Sequence, residues 1–175
     1  MQNDRQRCDA LYDEAAAAYG AALRRLARSY ELDPEKQRDL LQEVHLALWR
    51  SLAGFEETCS LRTWVYRVAH NVAASHIFRQ RRERGRRLVT LDDVEATLAS
   101  GNSEAEVERS HALDRLYELI HRLKPLDRQI ILLYLEGADA ASISEVTGMS
   151  AANAATRVHR IKRILAHQYQ SGSTA

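Results

Sequence analysis

Arginine is the residue type best placed to do chemistry in this chain, and that chemistry is the gripping of phosphates and base edges. Of the 25 basic residues only Lys36, Lys124 and Lys162 are lysines. The positive charge is therefore almost all guanidinium, a planar fork that meets phosphate oxygens and guanine edges two bonds at a time. Much of it is clustered. Arg79 to Arg87 reads RQRRERGRR, six Arg less one Glu, or +5 in nine residues. Arg157, Arg160, Lys162 and Arg163 form a second cluster near the C-terminus. Between them, Asp92, Asp93, Glu95, Glu104, Glu106 and Glu108 are six acids with no base among them, and the stretch includes Ser100-Gly101-Asn102-Ser103. This reads as an acidic, flexible tether. A net charge of +1 thus conceals two basic-ended units, an arrangement suited to two separated contacts with one polyanion. For either cluster alone, the competing reading is a solvated helix face.

Bond-making chemistry has no constellation here. The seven histidines, His45, His70, His76, His111, His121, His159 and His167, include no HExxH pair, and there is no Gly-rich phosphate loop or nucleophile elbow. No catalytic residue, metal ligand or cofactor is expected. Cys8 and Cys59 lie far apart without a CxxC, so reduced thiols are expected. No apolar run approaches the roughly 18 residues of a membrane span, and the N-terminus leads into no signal-like apolar core. Cytoplasmic localisation without membrane insertion is the expectation.

The elements that must position the arginines are helices. With 7 Gly and 2 Pro in 175 residues, the turn residues that an all-β fold needs at short intervals are missing. From Asp4 to Tyr30, Leu11, Ala15, Ala18, Ala22, Leu26 and Tyr30 repeat at threes and fours, as in one or two amphipathic helices. Asp33-Pro34-Glu35 supplies an N-cap, a proline at the first helical position and an acid for the dipole, starting a helix that runs to about Ala53. Its core stripe is Leu40, Leu41, Val44, Leu48 and Leu52. A second stripe, Asp39, Gln42, Glu43, Leu46, Trp49 and Arg50, sets two large apolar residues among polar ones. It either meets an external partner or, at Trp49, closes the edge of the core.

Residues 54–59 read as a loop, and Ser60 caps a long helix that turns Leu61, Trp64, Val65, Val68 and Val72 inward. Its other faces carry Arg62, Thr63, Arg67, His70, Asn71, Ser75 and Arg79, a set able to take an unstacked base and track a strand. After the tether, Leu113, Leu116, Ile120 and Leu123 mark an amphipathic helix, and Pro125-Leu126-Asp127 opens another that ends at Glu136-Gly137. Asp139 then caps a short helix, Gly148 supplies a tight turn, and Ser150 caps a last helix with Val158, Ile161 and Leu165 inside. Short helix, glycine turn and longer basic helix form a helix-turn-helix, whose second helix offers Ser150, Ala151, Asn153, Ala154 and Arg157 to base edges. An ordinary helical hairpin is the competing reading. The fold expected is all-α: a helical domain over 1–87, a linker over 88–108, and a helix-turn-helix domain over 109–175.

Taken together these residues resemble the sigma-70 family of bacterial RNA polymerase initiation factors, in its small extracytoplasmic-function group. Asp39-Leu40-Leu41-Gln42-Glu43-Val44, running on to Leu48-Trp49, is similar to the family's DxxQE-containing helix. Residues 60–73, SLRTWVYRVAHNVA, resemble its promoter-melting segment. Leu126-Asp127-Arg128-Gln129 with 143–165 resembles its C-terminal helix-turn-helix domain. The resemblance spans nearly the whole chain in the right order. It implies that Asp39, Gln42, Glu43, Leu46, Trp49 and Arg50 dock on the clamp of core RNA polymerase, and that Arg62, Thr63, Arg67, His70, Asn71, Ser75 and Arg79 engage the minus-10 element. It assigns the minus-35 element to Ser150, Ala151, Asn153, Ala154, Arg157 and Arg160. It also implies contact with the polymerase flap and, as the family often has, an anti-sigma partner. Ala152 and Ala155 stand where the family frequently carries Gly and Lys, which places minus-35 readout on Asn153, Arg157 and Arg160. A stand-alone helix-turn-helix regulator and a protein-binding helical adaptor are the alternatives. The first needs a dimerisation segment, which is not left over, and the second needs no arginine clusters.

Overall fold

The computed structural model describes residues 2–86 and 104–171, and among them every regular element is helical. The first periodic segment is one helix, α1 (Gln2–Tyr30), which buries Ala15, Ala22, Leu23, Leu26 and Tyr30. Ala18, expected on that face, is exposed because it falls at the edge of the stripe running through Ala15, Ala22 and Leu26. Helix α2 (Pro34–Ser51) begins as its sequence dictates: Asp33 is extended, and the Glu35 amide donates to its Oδ1 at 2.8 Å. That bond holds the Asp33 carboxyl below its ordinary pKa. Leu40, Val44 and Leu48 bury against α1 and against α3 (Leu61–Arg86), and a 3-10 turn over Leu52–Gly54 closes α2. Truncating Leu40 or Leu48 to alanine would remove about 2–5 kcal/mol.

The second unit comprises α4 (Glu104–His121), α5 (Pro125–Leu135), α6 (Ala140–Thr147) and α7 (Ala151–Ser171). Helix α4 begins at Glu104, inside the stretch expected as a linker, whereas 88–103, with Asp92, Asp93 and Glu95, lies outside the described residues. Ile120, Ile130, Ile131, Leu133, Ile143, Ala154, Ile161 and Leu165 form its interior. Gly137 (φ 77°) and Gly148 (φ 76°) turn the chain after α5 and α6 in the left-handed region that favours glycine. Arg128 is buried at the α4–α5 corner, where it donates to the carbonyls of His121 and Leu123.

The two units are packed together. Helix α1 lies against α4, and α3 lies against α5 and α6. Arg128 reaches across from the second unit to stack its guanidinium over the Tyr30 ring, 5.0 Å from the centroid. Arg28 pairs with Asp114 and covers the Tyr117 ring at 4.5 Å.

Candidate nucleic-acid and protein interfaces

On α2 the second stripe faces outward. Leu46 is 48% and Trp49 37% exposed, with Asp39, Gln42 and Arg50 exposed around them and Glu43 half-buried. The indole edge is tethered, since Trp49 Nε1 donates to Asp9 Oδ1 of α1 at 2.9 Å, while part of the ring stays open. Glu43 accepts from Arg79 of α3, so this polar rim continues onto the next helix. His45, beside the stripe, meets the Tyr12 hydroxyl at 2.9 Å, and burial, with help from Arg24, pushes its pKa down. An apolar centre within a charged rim is the layout of a protein-docking surface.

Helix α3 starts from a built corner. The Thr63 amide donates to Ser60 Oγ at 3.1 Å, and Trp64 donates its indole N–H to Ser51 Oγ at 3.0 Å while packing on Phe55. From this corner Arg62, Thr63 and Arg67 project toward the second unit. Arg62 donates to the carbonyl of Glu136 (2.7 Å), Thr63 to the carboxylate of Glu145 (3.0 Å), and Arg67 to the carbonyl of Glu145 (2.7 Å). Arg25 of α1 adds two bonds of 2.6 Å to the Glu136 carboxylate. A cleft of about 590 Å³ lies between the two sides, lined by Cys59, Ser60 and Tyr66 on one and Leu133, Ala138 and Val146 on the other. Three residues expected on DNA are thus satisfied by oxygens of the second unit.

His70 corrects an expectation. It was placed among the DNA-facing residues, but it is 1% exposed, on the inward stripe with Tyr66, Ala69 and Ala73. Its Nδ1 meets the Tyr30 hydroxyl at 3.2 Å, and burial pushes its pKa down to about 3, so the ring is neutral at physiological pH. Asn71 and Ser75 are exposed as expected. The side chains of Arg81, Arg84, Arg86 and Arg87 lie outside the described residues, whereas Arg82 is exposed.

The helix-turn-helix forms from α6, the Gly148 turn and α7. The Ser142 amide donates to Asp139 Oδ1 (2.8 Å) to cap α6, and the Asn153 amide to Ser150 Oγ (3.3 Å) to cap α7. Ser144 Oγ ties the turn by donating to the Met149 carbonyl at 2.5 Å. Ser150, Ala151 and Asn153 are exposed, but Ala154 is fully buried. That second correction follows from period: Ala154, Val158, Ile161 and Leu165 make one inward stripe. Arg157 and Arg160 flank it and both pair with Asp127 of α5, at 3.0 and 3.1 Å. The directly outward stripe is instead Ala152, Thr156, His159 and Arg163, all exposed. The signal for it was present: once Ala154 is given to the core, the opposite face is fixed by the helical repeat.

Two basic helical faces on packed units, one of them a helix-turn-helix, define a DNA-binding protein of the transcription machinery. Sigma-70 region 2 matches residues 16–83 and sigma-70 region 4 matches 113–165. The chain belongs to the sigma-70 family, in its extracytoplasmic-function group, and is an RNA polymerase sigma factor that directs the enzyme to promoters; the stand-alone regulator reading is set aside by the presence of both regions. Over 162 residues it is 26% identical to the RNA polymerase sigma factor NccH of Alcaligenes xylosoxydans xylosoxydans, covering 91% of this chain and 87% of that one. In fold it is similar to CnrH in complex with the cytosolic domain of CnrY (TM-score 0.66, 19% identity, 96% and 97% of the two chains). The sigma factor RpoE in complex with the anti-sigma factor NepR, from Bartonella quintana, is also similar (TM-score 0.66, 21% identity, 91% and 96%). No helix among the described residues is long and apolar enough to cross a membrane.

Proposed function

We propose a division of labour along the chain. The outer stripe of α2, with Leu46 and Trp49 at its centre and Asp39, Gln42, Glu43 and Arg50 as its rim, docks on the clamp of core polymerase. The corner at 54–60 and the face of α3 with Arg62, Thr63, Arg67, Asn71, Ser75 and Arg79 open and hold the minus-10 element. Helix α7 enters the minus-35 major groove with Ser150, Ala151, Asn153, Arg157 and Arg160, joined by Thr156, His159 and Arg163, while the second unit also meets the flap.

The observation that carries this reading is the pairing of Arg62, Thr63 and Arg67 with carbonyl and carboxylate oxygens of the second unit. The acceptors are two peptide carbonyls and one carboxylate, which a phosphate can replace as a stronger, charged acceptor, so the packed form is the resting form. Docking on polymerase separates the units and transfers the donors to DNA. CnrH and RpoE were each seen with a protein partner bound, and an anti-sigma factor that clasps the packed form is the corresponding partner here. The factor does no bond-making chemistry of its own and works in the cytoplasm, where polymerase and chromosome are.

Photocrosslinkers placed at Asn71 and at Asn153 in the holoenzyme test the assignment. Asn71 should label the non-template strand near minus-10, and Asn153 the duplex near minus-35. The reverse pattern, or no label at either position, would contradict it.

A further inference from the structure

The buried ring of His70 stands between two tyrosines, Tyr30 of α1 and Tyr66 one turn back on α3, with centroids 6.0 and 6.4 Å away. Each of those tyrosines carries a guanidinium on its own ring. Arg128 of α5 lies over Tyr30 at 5.0 Å from the centroid, and Arg62 lies over Tyr66 at 5.7 Å. Both arginines belong to the contact between the two units. Arg128 comes from the second unit, and Arg62 donates to the Glu136 carbonyl of that unit at 2.7 Å. His70 is thus the titratable group directly behind the joint.

A neutral ring suits this place and a charged one does not. Nδ1 meets the Tyr30 hydroxyl at 3.2 Å, while Nε2 is buried with no hydrogen-bonding partner among the described residues. A doubly protonated ring would present an N–H with no acceptor and add a third cation beside two guanidiniums. Nothing offsets that cost. The polar groups facing the ring are Tyr30 from α1 and Tyr66 from α3, with Arg128 and Arg62 beyond them, and the buried residues of α2 are the apolar Leu40, Val44 and Leu48. The carboxylates of the joint are engaged elsewhere, Glu136 with Arg25 and Glu145 with Thr63. Burial accordingly pushes the His70 pKa down to about 3.

Separating the units lifts Arg128 off Tyr30, releases Arg62 from Glu136 and lets water reach the Tyr30 hydroxyl and the ring behind it. We propose that protonation of His70 and packing of the two units exclude one another, so that acid drives this factor from its packed form to its open form. This rests on the reading above that the packed form is the resting form. The open form binds the proton and the packed form does not, so the ratio of open to packed molecules is steady above about pH 6.5 and rises as the pH falls. With the ordinary histidine value in the open form, that rise is about 20-fold between pH 7 and pH 5.

The test uses the full chain with donor and acceptor dyes on α2 and α7, read molecule by molecule as the ratio of open to packed forms, for wild type, His70→Gln and His70→Phe. In wild type the ratio should rise about 20-fold from pH 7 to pH 5 with helix content unchanged. The His70 ring, followed by nuclear magnetic resonance of isotope-labelled histidine in the wild-type chain, should take up its proton over the same range. Both variants should give a nearly flat ratio. A flat ratio in wild type, or a His70 ring that stays neutral while the ratio rises, would overturn the proposal. So would a wild-type slope kept in either variant, which would assign the effect to Glu136 and Glu145, and so would a loss of helix content in step with the loss of transfer, which would mean unfolding. Core polymerase added to wild type at pH 7 should also produce the open form; unchanged transfer in the polymerase-bound chain would instead overturn the resting-form reading.

Discussion

The hydroxyl of Thr63, near the start of α3, donates to the carboxylate of Glu145 on the helix-turn-helix at 3.0 Å. One bond thus joins the region 2 unit to the region 4 unit. With Arg25 and Arg62 on Glu136 and Arg67 on the Glu145 carbonyl, it holds the units closed. The one ion pair in this set, Arg25 with Glu136, is half-exposed on its arginine side and contributes about 1 kcal/mol, in keeping with the proposed opening on docking. Glu136→Ala combined with Glu145→Ala should loosen it. Fluorescence energy transfer between labels on α2 and α7 should fall in the double variant, with helix content unchanged. Equal transfer efficiency in variant and wild type would mean the carboxylates do not hold the closed form.

Trp49 offers a different separation of roles. Because its ring is partly open and its edge is tied to Asp9, Trp49→Ala should cost about 1 kcal/mol of folding stability, the size of one hydrogen bond. A fully buried Trp would cost about 3–5 kcal/mol. Holoenzyme assembly should nevertheless be lost. Circular dichroism melting alongside a core-polymerase pull-down checks both, and a melted variant would return Trp49 to the core.

His70 makes stability depend on pH. Its folded pKa of about 3 lies below the ordinary histidine value, so between those values the unfolded chain binds the proton and the native chain does not. Stability is therefore complete above about pH 6.5 and falls as pH drops toward 3. Between pH 7 and pH 5 the loss from this group is about 2 kcal/mol. Glu31, whose pKa is lowered, loses its contribution only at lower pH. Urea unfolding at both pH values should give a clear slope for wild type and a smaller one for His70→Phe; equal slopes would mean the ring is not buried neutral.

Most of the fold was legible because its signals are local. Asp33-Pro34, Ser60, Asp139, Gly148 and Ser150 each start or stop a helix by themselves, and each does so in the structure. What the sequence could not reveal depends on contacts between segments far apart. His70 was misplaced because a polar residue on a helix looks outward until Tyr30 is known to cover it. Ala154 was misplaced because alanine suits either face, and only the register of Val158, Ile161 and Leu165 decides. The occupation of Thr63 by Glu145 joins residues 82 apart in sequence, which no periodicity encodes.

On α7, Arg157 and Arg160 share Asp127, so reading DNA with them requires an exchange of partners. Arg157→Ala should cost about 1–3 kcal/mol at one or two minus-35 base pairs and leave other positions unaffected. Asp127→Asn, which releases both arginines, should raise affinity for any DNA and flatten that selectivity. Holoenzyme binding to a set of single-base minus-35 variants measures both; a uniform loss in Arg157→Ala would make it a phosphate contact.

Run-off transcription by core polymerase, with and without this chain, tests the central claim most directly. On fragmented genomic DNA, the chain should produce transcripts whose upstream regions share two spaced elements, and core polymerase alone should produce none of them. Transcripts that appear equally without the chain, or no transcripts with it despite a folded, core-bound factor, would contradict its role in directing polymerase to promoters.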